Sequence, residues 1–149
     1  MGKYGLAKCP VFKEDGDAWE TAPFGERRGT YTHKGVDIVR HIGFNTTATV
    51  TAIADGTVIG VRTTVTGVNH AANVEGNYVA IDHGDGMVSA YSGLAAKPPV
   101  AVGDTVDTGS TIGSVGASPM GESALTPHVH VSLTVDGVDR DPMDYLPPK

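Results

Sequence analysis

The chain has 149 residues, of which 17 are acidic and 11 basic, giving a formal net charge of -6. This length fits one domain with a real hydrophobic core, and the acidic balance without a basic patch argues against nucleic acid or an anionic membrane surface as a partner. Cys9 is the only cysteine, so an internal disulfide is excluded.

No apolar run approaches the roughly 20 residues that a membrane-spanning helix needs, and no secretory leader is visible at the N-terminus. We therefore expect a soluble protein that neither inserts into a membrane nor carries its own export signal. Its location stays open, because a virus particle or lysis by another protein could still deliver it outside a cell.

The chain begins without periodicity over residues 1–30, and the first 23 residues are expected to form an irregular lead-in to one domain that spans residues 1–149. The first strand is predicted at residues 36–39, where three of four side chains are β-branched. The 20 glycines and 9 prolines predict many tight turns further along the chain.

Two hairpins are predicted in the middle of the chain. Runs at residues 48–53 and 57–62 flank the sequence Ala-Asp-Gly, and runs at residues 77–82 and 87–91 flank His-Gly-Asp-Gly. Both linkers are typical of tight turns between antiparallel strands. The segment between the hairpins, residues 63–76, is expected to be a long loop.

The last third continues as short strands, and residues 128–135 alternate polar and apolar side chains. A strand here would place His128, His130, Ser132 and Thr134 on one face and the apolar side chains on the other. Since helical periodicity and βαβ alternation are both absent, the sequence predicts an all-β domain that is mainly antiparallel.

Three of the histidine and aspartate side chains could together bind a metal ion. His33 and Asp37 stand four residues apart in "HKGVD", and one of His128 and His130 would add a second imidazole. A catalytic zinc ion takes three such ligands and keeps a fourth position for water, which it activates. The remaining histidine could move a proton or hold the oxyanion. Solvated surface histidines are the alternative for each motif taken alone.

Seven motifs, in order, resemble those of the lysostaphin-type zinc metalloendopeptidases, which cleave peptides of bacterial peptidoglycan. The motifs are "FGER" (24–27), "HKGVDI" (33–38), "VTAIADGTV" (50–58), "GNYVAIDHGDGMVSAY" (76–91), "VAVGDTVDTGSTIGSVGASP" (100–119), "TPHVHV" (126–131) and "DPMDYL" (141–146). The resemblance implies a small antiparallel β-sheet domain with a groove walled by loops.

The resemblance also implies roles for individual residues. His33, Asp37 and His130 would bind Zn²⁺, and His128 would be the catalytic histidine beside it. The substrate would be a peptide of bacterial peptidoglycan.

The chain departs from the family at the second catalytic histidine, expected in the pattern Tyr-x-His-Leu. Here Gly93 occupies that position between Ser92 and Leu94, and glycine can neither accept a proton nor donate a side-chain hydrogen bond. Rescue by His70 from the long loop is one hypothesis, whereas Ser92 is expected to face away because neighbouring strand residues alternate. Tyr31 could hydrogen-bond a tetrahedral intermediate, and a packed tyrosine is the alternative.

Two functions remain open, and position 93 separates them. One is a zinc endopeptidase impaired by Gly93, and the other is a catalytically inactive zinc-binding module that docks onto wall peptides or other virion proteins. A phage lysin or tail-associated protein would fit either function. A lipoyl-type carrier domain is disfavoured, because no lysine lies between Lys34 and Lys97 to carry the group.

Overall fold

A computed structural model gives the fold of the greater part of the chain. The ranges that the structure describes are 18–22, 24–25, 27–28, 31–32, 35–40, 49–62, 77–94, 98–114 and 129–144. Within these ranges no helix is long and apolar enough to cross a membrane.

Strands dominate the described ranges, and the one helical element there is a 3₁₀ turn at Pro142–Asp144. The strands are β1 (Ala18–Ala22), β2 (Arg27–Arg28), β3 (Tyr31–Thr32), β4 (Val36–Arg40), β5 (Thr49–Thr51), β6 (Gly56–Arg62), β7 (Asn77–Gly84), β8 (Met87–Leu94), β9 (Thr105–Val106), β10 (Thr111–Ser114), β11 (Val129–Val135) and β12 (Val138–Arg140).

The main sheet runs in the order β1-β4-β11-β8-β7-β6-β9, and β12 also pairs with β11. Two further two-stranded sheets are formed by β5 with β10 and by β2 with β3. Every strand pair in the described ranges is antiparallel. The predicted all-β, antiparallel fold class is thereby confirmed.

One face of the main sheet is covered and forms the core. Along β11, Val129, Val131, Leu133 and Val135 are buried, whereas the three residues between them are half-buried. This is the alternation that the sequence predicts for residues 128–135, and it continues in β7 and in the first half of β8. The opposite face therefore carries His130 and its polar neighbours on β11.

The hairpin between β7 and β8 turns at Asp85 and Gly86, as the sequence predicts. Both residues have positive φ, 54° and 79°, which is the geometry of a type I′ turn and explains the Asp-Gly pair. A Cβ atom on Gly86 would also displace the exposed carboxylate of Asp136, which lies next to this turn. A second such turn at Asp136 and Gly137, with φ of 53° and 78°, joins β11 to β12.

The predicted hairpin around Ala54, Asp55 and Gly56 is wrong, because β5 and β6 lie in different sheets. The Asp55 carboxylate accepts bonds from the Thr108 backbone N–H at 2.6 Å and its hydroxyl at 2.9 Å. These bonds hold the turn after β5 against the β9–β10 connection, and β5 pairs with β10. Gly56 is selected for close packing on β7, since a Cβ atom there would lie 2.5 Å from the Asp82 carbonyl oxygen.

The expected irregular lead-in contains β1, which pairs with β4 at the edge of the main sheet. Its sequence, Ala-Trp-Glu-Thr-Ala, has no run of β-branched residues and no clear alternation, although Asp-Gly-Asp precedes it and Pro23 follows it. An edge strand of five residues is stabilised by its backbone partner more than by its own pattern. Local sequence therefore could not predict it, and residues 1–17 lie outside the described ranges.

A chain of polar side chains links the β7–β8 hairpin to the turn after β5. His83 Nδ1 lies 2.8 Å from the Asp55 carbonyl oxygen, and Nε2 lies 2.7 Å from Ser89 Oγ. Ser89 Oγ lies 2.8 Å from Tyr91 Oη, to which the Ile53 N–H donates at 3.1 Å. Because Ser89 and Tyr91 are fully buried, no substrate reaches this serine–histidine pair. The contacts give His83 a structural role.

The protonation state of His83 determines which group donates each hydrogen bond among the side chains of His83, Ser89 and Tyr91. A carbonyl oxygen only accepts, so Nδ1 carries a hydrogen, and in the neutral ring Nε2 accepts from Ser89. A second ring proton would make Nε2 a donor, so that both Ser89 and Ile53 would donate to Tyr91. Burial lowers the pKa of the His83 imidazole below its ordinary value of 6.5, although the Asp55 carbonyl opposes the shift. Burial also raises the pKa of the Tyr91 phenol to about 12.

We expect stability to fall on acidification through His83. Above about pH 6.5, His83 is neutral in both states and its full contribution to stability is present. As the pH falls from there to the lower folded-state pKa, the unfolded chain binds a proton that the folded chain does not, and the free energy of unfolding decreases. One such group changes stability by at most about 1.4 kcal/mol per pH unit. Urea unfolding at about pH 7.5 and about pH 5.5 measures it, and equal losses in the parent and in His83→Gln would contradict the assignment.

Candidate metal centre and groove

Two distant segments of the sequence meet at the pairing of β4 with β11. The antiparallel register places Asp37 directly opposite His130. Residues opposite one another in such a pair have Cβ atoms about 5 Å apart. A carboxylate position from the "HKGVD" motif and an imidazole from "PHVH" are therefore neighbours, as a shared metal ion requires.

Gly35 brings the His130 ring against the same motif. A Cβ atom on Gly35 would lie 2.7 Å from His130 Nε2 and 2.9 Å from Cε1, and it would collide with the Val131 carbonyl oxygen. The imidazole thus packs onto the backbone midway between His33 and Asp37. The glycine in this motif is required for a close approach of two strands and a ring.

The other predicted site residues are described less completely. His33, His128 and His70 lie outside the described ranges. Tyr31 is placed by its backbone in β3, opposite Arg28, and Asp37 likewise by its backbone in β4. Within the described part of the chain no group of three His, Cys, Asp or Glu side chains is gathered. The donor types that the register brings together, an imidazole and a carboxylate, fit zinc.

The register extends this site across the sheet in one row. His130 lies opposite Ser92, Ser92 opposite Tyr78, and Tyr78 opposite Arg62. We call this set, from Asp37 through His130, Ser92 and Tyr78 to Arg62, the site row. It crosses five adjacent strands, β4, β11, β8, β7 and β6.

A second row beside it consists of small residues. Ser132 lies opposite Ala90, Ala90 opposite Ala80, and Ala80 opposite Gly60. All four are half-buried. We call this set the floor row; its small side chains lie beside the site row, in a line perpendicular to the strands.

Comparison with known families decides what kind of protein this is. The sequence profile of Peptidase family M23 matches residues 31–142, a range that includes both histidine motifs and Asp37. The chain belongs to peptidase family M23. The resemblance to lysostaphin-type zinc endopeptidases that the sequence suggests is thereby confirmed.

An uncharacterized protein of Neisseria meningitidis serogroup B is 36% identical over 124 residues. The match covers 81% of this chain but only 17% of that protein. The M23 chain thus spans about a sixth of the length of its curated relative.

Solved structures share the fold of this M23 chain. A zinc containing peptidase from Vibrio cholerae has a TM-score of 0.71 with 26% identity, covering 92% of this chain and 39% of its own. Lysostaphin from Staphylococcus simulans has a TM-score of 0.62 with 26% identity, covering 83% and 47%. A chain of the SpoIIIAH and SpoIIQ complex has a TM-score of 0.73 with 24% identity, covering 92% and 97%, and shows the fold alone.

Gly93, where the M23 pattern leads us to expect a histidine, is an extra residue in β8. Asn77 lies opposite Leu94 and Tyr78 opposite Ser92, so two steps along β8 face one step along β7. Gly93 has a φ of 80°, as expected for a glycine in the left-handed region at a β-bulge. The buried Asn77 amide donates to the Leu94 carbonyl oxygen at 3.2 Å and holds the bulge.

The bulge corrects the expectation for Ser92. Simple alternation predicts that Ser92 faces away from the site, whereas the register places it directly opposite His130. Ser92 is 6% exposed, so little of its side chain reaches solvent. The signal that could have revealed it is the glycine itself, because glycine inside a strand pattern often marks a bulge.

Proposed function

We propose that this M23 domain is a zinc metallopeptidase-like hydrolase directed at peptides of bacterial peptidoglycan. His33, Asp37 and His130 would hold Zn²⁺, and His128 would be the catalytic histidine. The observation that carries the proposal is the packing of the His130 imidazole on Gly35, inside the motif that supplies the other two ligands. The similarity in fold to a zinc containing peptidase from Vibrio cholerae supports it further.

In amide hydrolysis, the chain's own residues would transfer protons and hold the peptide. Bound zinc supplies Lewis acidity that activates water and polarises a carbonyl. His128 would accept the proton released by the attacking water and transfer it to the departing amine nitrogen as the C–N bond breaks. The site row and the floor row beside it would hold the peptide in an extended form across the strands.

A second function, binding without cleavage, is favoured by Gly93. A bulge glycine supplies no proton acceptor where the M23 pattern leads us to expect one, and loss of such a group typically costs about 10²- to 10⁴-fold in rate. The domain would then be a zinc-containing module that docks onto wall peptides or onto other virion proteins. Cleavage of cell-wall material separates the two functions.

The zinc site is tested by metal content and cleavage together. We expect about one zinc per chain in the parent and a fall of more than about 100-fold in zinc affinity for His130→Ala, since even neighbours of ligands contribute 10- to 100-fold. Thr134→Ala is the matched control, because Thr134 shares the half-buried face of β11 two positions beyond Ser132. New amino termini released from peptidoglycan sacculi are followed by mass spectrometry.

Two results would count against the proposal. A parent protein that holds no zinc above background, with His33→Ala and Asp37→Ala changing no property, would remove the metal site. Zinc bound as expected, but no new amino termini from sacculi of any cross-link type, would leave the binding module as the function.

A further inference from the structure

The far end of the site row carries a cation whose surroundings suit a ligand. The Arg62 guanidinium carbon lies 5.2 Å from the centroid of the Tyr78 ring, in a cation–π contact. Arg62 is half-buried and stands at the end of β6, directly opposite Tyr78. The contact holds the guanidinium beside the Tyr78 ring, and the register places both residues on the same face of the sheet as His130.

Gly60 makes room for this arrangement. A Cβ atom on Gly60 would lie 3.3 Å from Tyr78 Cε1 and 3.6 Å from Tyr78 Oη. The Tyr78 ring therefore lies over the glycine in the floor row, two residues before Arg62 on the same strand. A larger residue at position 60 would push the ring away and with it the surface on which the guanidinium rests.

The cation–π contact does not neutralise the charge of Arg62. Its guanidinium carries five N–H donors in the fork geometry that matches a carboxylate. Among the residues that the structure describes, no carboxylate forms an ion pair with Arg62. A planar cation that is held in place and lacks a described acidic partner is suited to an external anion.

The distance along the row fits a short peptide. Three strand spacings separate β11 from β6, which is roughly 14 Å at about 4.8 Å per strand. An extended peptide covers about 3.4 Å per residue, so roughly four residues span from His130 to Arg62. Beside this line the floor row presents only serine, alanine and glycine side chains, and the Tyr78 ring lies over its Gly60 end. The peptide backbone would therefore run over Ser132, Ala90 and Ala80.

We propose that Arg62, supported by Tyr78, binds a carboxylate of an extended peptide whose scissile bond lies at the His130 end of the site row. This inference rests on the proposed function for the site itself and names a specificity-determining residue within it. Peptides that carry a free carboxylate about four residues from the reacting amide are therefore the preferred ligands.

Direct binding tests the inference without requiring cleavage. The zinc-loaded full chain is titrated with synthetic stem tetrapeptides and pentapeptides, each made with a free C-terminal carboxylate and with a carboxamide. We expect the parent to bind the acid about tenfold more tightly than the amide, the gain typical of one charge-assisted hydrogen-bonded pair near a surface. The preference should shrink as salt is added.

Substitutions of Arg62 test whether this residue causes the preference for the free carboxylate. Arg62→Gln should remove it, and Arg62→Lys should retain only part of it, because an ammonium group keeps the charge but loses the planar fork. Arg140→Gln is the matched control, since Arg140 is exposed on β12, away from the site row, and should leave the preference intact. Urea unfolding of each variant checks that the fold is unchanged.

The outcomes separate this inference from the proposed function. Equal binding of acid and amide by the parent, no binding of either, or a preference that persists in Arg62→Gln would overturn the role of Arg62. Release of new amino termini from sacculi, measured in parallel, judges the hydrolase proposal by itself. An Arg62-dependent preference without cleavage would support the subsite and reject the hydrolase.

Discussion

Replacing Gly35 by alanine is expected to weaken zinc binding and to destabilise the protein at the same time. The added methyl group would collide with the Val131 carbonyl oxygen and come within 2.7 Å of His130 Nε2. The carbonyl belongs to a central strand, where Val131 lies opposite Val36 on one side and Tyr91 on the other. The carbonyl cannot retreat without opening the β4–β11 pair, so the His130 ring would have to shift as well.

The expected cost in free energy of unfolding is about 2–3 kcal/mol, in the upper part of the range for overpacking a well-packed site. Zinc affinity should fall by at least about tenfold, because His130 must move by several tenths of an ångström, and metal sites lose 10- to 100-fold when the support of a ligand is disturbed. Urea unfolding and zinc titration under conditions where the variant is folded measure the two effects separately.

Gly60→Ala is the control for this substitution. It adds the same methyl group on the same sheet, with a nearest neighbour 3.3 Å away at the movable edge of the Tyr78 ring. We expect a change in stability within about 1 kcal/mol and unchanged zinc affinity, because the ring can give way where a backbone carbonyl cannot. Zinc affinity of Gly35→Ala equal to that of the parent would contradict the role of Gly35 in positioning His130.

The elements that sequence reasoning predicts well are those whose signals are local. The alternation around His130 and the Asp85–Gly86 turn each specify a backbone geometry within a few residues, and β11 and the β7–β8 hairpin follow. The failure at Asp55 and Gly56 has a non-local cause. The partner of β5 is β10, about sixty residues later, and the bonds from Thr108 to Asp55 decide the pairing.

In the candidate site, too, local sequence signals predict some positions, whereas others depend on non-local strand pairing. Motif spacing predicts Asp37 and His130 as partners, and the register places them opposite one another, while their binding of zinc stays a prediction. Arg62 could not be predicted, since its position depends on the register of four strands, whereas Gly93 inside the strand pattern was a signal for the bulge beside Ser92. A shift of the strand register by one residue would turn these side chains to the other face of the sheet. The pairing of strands that are distant in sequence is not specified within any one segment.

Introducing histidine at position 93 is expected to produce the largest gain in activity. A proton acceptor or oxyanion donor restored to its place in the M23 pattern contributes about 10²- to 10⁴-fold in rate. The backbone opposes the change, because Gly93 has a φ of 80°, and a side chain in this region costs roughly 1–3 kcal/mol. Histidine is among the residues that adopt the left-handed region more readily than most, so we expect the variant to fold with reduced stability.

Gly93→Asn separates the chemistry from the backbone. Asparagine tolerates a positive φ at least as well as histidine does, but its amide cannot act as a base, so it should share the loss of stability and show no gain in cleavage. Release of amino termini from sacculi is measured for the parent, both variants and Gly93→His combined with His128→Ala, which should abolish the gain. A Gly93→His protein that is folded, binds zinc and cleaves no faster than Gly93→Asn would show that the missing histidine is not what limits this domain. The bulge at Gly93 would then be the more fundamental departure, because the backbone itself would no longer direct a side chain from position 93 toward His130.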